Sequence, residues 1–133
     1  MTKKKLIFKK SFKVSLGNKR ACQFLLLIRE DSVDSYAISG ISASEQRKQS
    51  ISEFITRANY GLRYGNFEMD WQDGEIRYHL IRSRPSIIYD INATIEQLLC
   101  LPASMLGRFE SGLADVVMGR ESPERAVEMC ETK

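Results

Sequence analysis

The stretch N-Y-G-L-R-Y-G-N-F-E-M-D-W-Q-D-G-E-I-R-Y-H-L, from Asn59 to Leu80, decides the fold. It reads as the end of a helix followed by a whole β-hairpin over about residues 62–82. Asp73-Gly74 signals a two-residue type I′ turn, which needs positive φ at both central positions. A turn there pairs Trp71 with Ile76, Met69 with Tyr78 and Phe67 with Leu80. Period-two alternation puts all six on one buried face, so Trp71 is expected in the core. The outer, wet face receives Arg63, Asn66, Glu68, Asp70, Arg77 and His79, with Asp70 beside Arg77 and Glu68 beside His79. Gly65-Asn66 interrupts the alternation, because Leu62 and Tyr64 are even-numbered while Phe67, Met69 and Trp71 are odd. One extra residue, a β-bulge, would re-phase the strand. The alternative is a glycine that lets a ligand approach the backbone.

Upstream, Ser42 and Glu45 have capping-box spacing. They open a helix over about 43–59 whose stripe is Ile51, Phe54, Ile55 and Ala58. Asn59 or Gly61 ends it in left-handed geometry. The Asn59 side chain either binds a partner or, the favoured reading, ties the helix end to the next strand. Before residue 41 the chain reads as strands: 5–16, 21–30 and from Tyr36 to near Gly40, with turns at Gly17-Asn18 and Asp31 to Asp34. The run A-C-Q-F-L-L-L-I-R-E suits a strand buried on both faces. In the first strand Leu6, Phe8, Phe12, Val14 and Leu16 share one parity and Lys5, Lys9 and Lys13 the other, the pattern of a lysine-guarded edge.

Downstream, Pro85 ends regular pairing, and the path of residues 83–93 stays open between an extended segment and a helix approach. Thr94 with Gln97 permits a second capping box, and Pro102 marks a break or a fresh start. Met105, Leu106, Phe109, Leu113, Val116 and Val117 recur at helical spacing, with Gly107 and Gly112 permitting close packing. Gly119 stops that helix, and Ser122-Pro123 starts the last one, bearing Ala126, Val127 and Cys130. The sum is one α+β domain over residues 1–133: an antiparallel sheet of about five strands with helices on one face.

Arg57, Asn59, Gly65, Phe67, Asp70, Gly74, Glu75, Arg77 and Tyr78 together resemble the central signature of the YbjN family, described as bacterial sensory transduction regulators. G-R-E-S-P-E-R-A, Gly119 to Ala126, is similar to that family's closing segment. The resemblance runs from about Tyr36 to Glu131. It implies a type III secretion chaperone-like fold that binds other polypeptides, and it implies no catalysis.

Composition narrows the classes. The chain is 43% hydrophobic and 28% charged, which is ordinary for a soluble domain. No apolar run approaches the ~20 residues that cross a membrane. The lysine-led start lacks the apolar core of a secretory signal, so a cytoplasmic address is expected. Cys22, Cys100 and Cys130 make neither a C-x-x-C nor a metal spacing with the single His79. His79 on a wet face, Glu68 with Asp70, and Ser104 or Ser111 without a histidine form no catalytic constellation. No enzyme activity, metal or cofactor is therefore expected. The first twenty residues hold eight Lys or Arg and no acid, and the other 113 carry a net charge of −5. That end could meet nucleic acid, but it lacks arginine-aromatic interleaving, so the edge-guard reading is preferred. What remains is a protein-binding or chaperone-like adaptor, with the outer hairpin face as the candidate contact and a homodimer among the forms that the resemblance allows. A basic nucleic-acid binder is the alternative, and a small-molecule sensor rests only on the family's description.

Overall fold

Alternating side chains give five antiparallel strands, side by side in the order Leu6–Ser15, Ala21–Arg29, Ser32–Ser42, Glu75–Ser83 and Asn66–Met69. The computed structural model describes residues 5–15 and 21–132, so Leu16 and the Gly17-Asn18 turn lie outside the described residues. The elements are β1 (Leu6–Ser15), β2 (Ala21–Arg29), β3 (Ser32–Ser42), a 3-10 turn (Glu45–Arg47), α1 (Lys48–Tyr60), β4 (Asn66–Met69), β5 (Glu75–Ser83), α2 (Arg84–Tyr89), α3 (Ile91–Val117) and α4 (Pro123–Glu131). The expected α+β architecture is present, with helices on one sheet face. A single hydrophobic cluster joins Cys22, Ala37, Phe67, Ile76 and Tyr78 of the sheet to Ile51, Phe54 and Ala58 of α1. It continues through Leu106, Phe109, Leu113 and Val116 of α3 to Ala126, Val127 and Cys130 of α4.

The hairpin keeps its faces but not its register. Phe67 pairs with Tyr78 and Met69 with Ile76, two residues away from the expected pairing. A slip of two preserves parity, so Phe67, Ile76, Tyr78 and Leu80 are buried as expected. The turn is the cause. The ladder closes at Asp70, which exchanges backbone hydrogen bonds with Glu75 and Gly74, leaving Trp71 to Gly74 as a longer loop instead of a two-residue turn. Gly74 takes φ 77°. Asp70 Oδ1 accepts from Gln72 N–H and Asp73 Oδ1 from Glu75 N–H, both at 2.9 Å. Trp71 is therefore in the loop, 57% exposed, and not in the core. Trp71→Ala should change folding stability by less than about 0.5 kcal/mol in urea unfolding, the usual range for an exposed site. The native fluorescence maximum should lie near that of free indole.

Residues 61–65, just before β4, belong to no strand, so the expected bulge is absent. Gly65 instead turns the chain with φ 72° and lies against β5, where a Cβ would sit 2.5 Å from His79 O. Its close neighbour is the protein's own strand rather than a ligand. Tyr78 Oη donates to Tyr64 O across the same contact. The Asn59 expectation holds: its Oδ1 accepts from Phe67 N–H at 2.8 Å and its Nδ2 donates to Phe67 O at 3.0 Å. These Phe67 groups point away from β5, so a helix side chain occupies the outer edge of β4.

Other local expectations shift for identifiable reasons. Ser42 is still in β3, pairing with Glu75, and caps nothing. Ser44 precedes the 3-10 turn without a side-chain cap, and Glu45 turns to Lys48, 2.6 Å away. Gly61 closes α1 in right-handed geometry, φ −95°. β3 begins at Ser32, so Asp34 belongs to a strand and not a turn. In β2 only Cys22 and Phe24 are buried, and Leu25 to Ile28 are half-buried. Ser83 caps α2, with Pro85 in its first turn. Asp90 caps α3 by accepting from Ala93 N–H, so Thr94 lies inside the helix. Pro102 neither breaks nor restarts α3, which is continuous around it and buries it. Gly112 fits tightly, since a Cβ would lie 2.7 Å from Cys130 Sγ. After α3, Gly119 N–H bonds to Val116 O and Arg120 N–H to Asp115 O, the double closure of a Schellman stop. Ser122 caps α4 as expected.

Candidate functional site

Strand alternation sorts the polar side chains of β2 to β5 onto the face that carries no helix. Tyr36 of β3 lies opposite His79, which itself lies opposite Asn66 of β4, while Glu68 lies opposite Arg77. His79 is held from both sides: Nε2 is 2.6 Å from Asp34 Oδ1 and Nδ1 is 3.1 Å from Glu68 Oε2. Glu68 Oε1 accepts from Arg77 Nε at 2.7 Å, and Asp34 Oδ2 from Arg29 Nε at 3.3 Å. The His79 ring stacks on Tyr36 with centroids 4.3 Å apart, and the Arg77 guanidinium lies over the same tyrosine ring.

Of the six candidate contact residues, the fold brings four together. Glu68, Arg77 and His79 form the network, and Asn66 joins it weakly through Nδ2, 3.5 Å from Glu68 Oε2. Asp70 does not pair with Arg77, because the longer loop moves it to the turn, where it caps Gln72. Arg63 is exposed in the connection before β4, away from these pairs. An open depression of about 400 Å³ lies beside the network, lined by Glu68, Met69, Asp70, Glu75 and Arg77. Among the described residues no group of three or more His, Cys, Asp and Glu side chains is arranged to hold a metal ion.

The outer face is drier than its sequence suggests. His79 and Asp34 side chains are only 18% and 7% exposed. Burial alone would lower the His79 pKa, but the hydrogen bonds and charges of Glu68 and Asp34 outweigh it and raise the value. The hydrogen bond from His79, opposed by burial and helped by Arg77, holds Glu68 at about 2. Burial, then the Asp34 charge, pushes Tyr36 up. The expectation of a wet outer face is thus corrected at His79 and Asp34. Asp34, Tyr36 and Arg29 were the residues missed: β3 starts at Ser32, four residues earlier than expected, which places Asp34 on the Tyr36 side, but no local signal shows that β3 pairs with β5.

The network makes stability depend on pH in both directions. A raised His79 pKa contributes stability that is fully present below its ordinary 6.5 and is lost as pH rises through the folded value. A depressed Glu68 pKa contributes stability present above its ordinary 4.5 and lost as pH falls towards about 2. His79→Gln should therefore flatten the fall in Tm between neutral and mildly alkaline pH, measured by circular dichroism against the parent protein. An unchanged slope would show that His79 is not coupled to its carboxylates.

A second surface is apolar. Among the described residues β1 is the sheet edge opposite β4, with no strand beyond it. Leu6, Ile7, Phe8 and Phe12 are exposed, among Lys5, Lys9, Lys10 and Lys13. The edge-strand expectation holds, but the apolar side of this strand is left largely uncovered.

No protein-family model, curated protein or solved structure matches this chain.

Proposed function

We propose that this protein binds an extended segment of another polypeptide along β1, as an added strand, and performs no chemistry. One observation carries this: a ten-residue strand is the last of the sheet among the described residues, with exposed apolar side chains among lysines. Strand addition uses main-chain hydrogen bonds for affinity and alternate side chains for selection. The lysines oppose basic strands and favour one bearing Asp or Glu. The contact moves here from the outer hairpin face because that face spends its polar groups on itself. Both His79 nitrogens are engaged by carboxylates, which leaves no ring nitrogen for a substrate proton. The resemblance to the YbjN family supports the same reading, a chaperone-like adaptor acting in the cytoplasm. No helix among the described residues is long and apolar enough to cross a membrane.

Nucleic acid is the second reading, favoured only by the lysines of β1. A fluorescent Glu-Val alternating peptide of the length of β1 should bind with a saturable rise in anisotropy. A Lys-Val peptide should not, and Lys9→Glu with Lys13→Glu should abolish the acidic peptide's binding without changing the fold. Tight binding of a single-stranded oligonucleotide that falls steeply with salt, with no peptide binding, would overturn the proposal.

A further inference from the structure

The two faces of β1 carry different instructions for a strand laid beside it. Leu6 pairs with Arg29 and Phe8 with Ile28, so Ile7 is an extra residue and the ladder is regular only from Phe8 onward. A bulge of this kind bends a strand and ends its pairing, which leaves Phe8 to Ser15 as the length an added strand can follow. Within that length Phe8, Lys10, Phe12 and Val14 lie opposite Ile28, Leu26, Phe24 and Cys22, on the side of the sheet that carries the helices. Cys22 and Phe24 are buried, Val14 packs on the core cluster, and the Phe12 ring is 4.9 Å from that of Phe24. This row is the rim of the core. Phe8 and Phe12 remain 48% and 40% exposed, which is the area that one more apolar row would cover. The other face carries Lys9, Ser11 and Lys13, opposite Leu27, Leu25 and Gln23. All the lysines of β1 are exposed, and the strand contains no Asp or Glu.

Lys10 interrupts the apolar row between Phe8 and Phe12. A charge placed there guards the edge, because a strand apolar along that whole side would cover the ammonium and supply no counter-charge. The same lysine attracts a strand with a carboxylate opposite it. Rejection of one strand and attraction of another together produce selectivity. We propose that β1 selects a segment in complement to its own order, with apolar residues opposite Phe8, Phe12 and Val14 and acidic residues opposite Lys9, Lys10 and Lys13. This rests on the strand-addition reading and narrows its partner from acidic strands in general to one pattern. Every pairing in the sheet is antiparallel, so the segment runs against β1. From its N-terminal end it reads apolar, acidic, apolar, any, acidic, acidic, apolar. The two adjacent acids distinguish it, since neighbours on a strand face opposite sides and each meets its own lysine. Simple alternation of acidic and apolar residues satisfies Lys9 and Lys13 but sets an apolar side chain on Lys10. A slip of two residues keeps the faces and moves every acid off its lysine, so the charges also fix register.

Fluorescence anisotropy with the full chain and the peptide Thr-Val-Glu-Val-Thr-Glu-Glu-Val tests the proposal. This peptide should bind about fivefold more tightly than the alternating Glu-Val peptide, the upper worth of one cross-strand charge pair. Lys10→Glu should weaken it on the order of tenfold, because an attraction becomes a repulsion. Replacing the first of the two adjacent glutamates by lysine should restore binding to Lys10→Glu, and replacing the second should not. For Lys9→Glu the preference should reverse. Both lysines are exposed, so both variants should keep the parent circular dichroism, and the comparison of the two peptides needs no variant at all. Equal affinity for the two peptides, or rescue of either variant by either lysine-bearing peptide, would overturn selection by Lys10 and leave strand addition standing. Saturable binding of neither peptide would overturn the functional reading and this inference with it.

Discussion

Phe67→Ala should cost about 3–5 kcal/mol of folding free energy. Phe67 is 1% exposed, and its ring meets Tyr78 edge-on at 5.0 Å and Phe109 at 5.4 Å. It is thus the aromatic through which the hairpin grips α3. Its removal loses buried area and two edge-to-face contacts, and the backbone around it cannot collapse into the space because Asn59 holds both its N–H and its C=O. Against a total stability of about 5–15 kcal/mol, this is a large fraction. Urea unfolding should show a strongly lowered midpoint with an unchanged m-value, and Tm should fall on the order of 10–20 °C. A loss below about 1 kcal/mol would place Phe67 outside the core and undo the hairpin register described above.

Gly74→Ala should destabilise by a similar amount, about 3 kcal/mol or more, through a different cause. The residue combines φ 77° with a position where a Cβ would lie 2.0 Å from Ala43 O. The left-handed conformation alone costs a non-glycine roughly 1–2 kcal/mol. The clash is with backbone, so the loop must also lift away, breaking the 2.9 Å hydrogen bond from Ala43 N–H to Gly74 O. Lys48 Nζ, 3.2 Å from Gln72 O, would lose its hold on the same loop. Gly74→Ala should therefore speed hydrogen exchange at Ala43 as well as lower the urea midpoint. Normal protection at Ala43 would show that the loop tolerates the methyl group in place.

The same loop shows why the hairpin was only partly legible in the sequence. Asp-Gly specifies a reversal and a positive φ at glycine, and both are present. It does not specify loop length, which is set here by the docking of Gly74 on Ala43 and of Lys48 on Gln72, contacts between segments far apart in the chain. The burial of Phe67, Ile76, Tyr78 and Leu80 was legible because parity survives a slip of two, whereas Trp71, at the strand end, had no such protection. Helix stripes and stops carry their information within a few residues, so the buried stripe of α1, the Gly119 stop and the Ser122 cap were read correctly, while the start of α1, expected at Ser42, falls at Lys48 because β3 runs through Ser42. Pro102 misled because the apolar contacts on both sides of it outweigh the hydrogen bond it removes. Glu68 beside His79 was legible from the hairpin, but the other half of the network was not: it needs Asp34 and His79 side by side, and only the β3–β5 pairing brings them together across 45 residues.

The Asn59 amide has a consequence for how large an assembly can grow. β4 has four residues, and the outward backbone groups of Phe67 are already taken by a side chain of the same molecule. The sheet therefore has a capped end and a live end. Any strand that joins does so at β1, and the molecule it belongs to gains no second point of growth. Association of two copies by this route, each β1 being already paired with β2 on its other side, terminates after one event, like a polymerisation with a chain stopper built into every monomer.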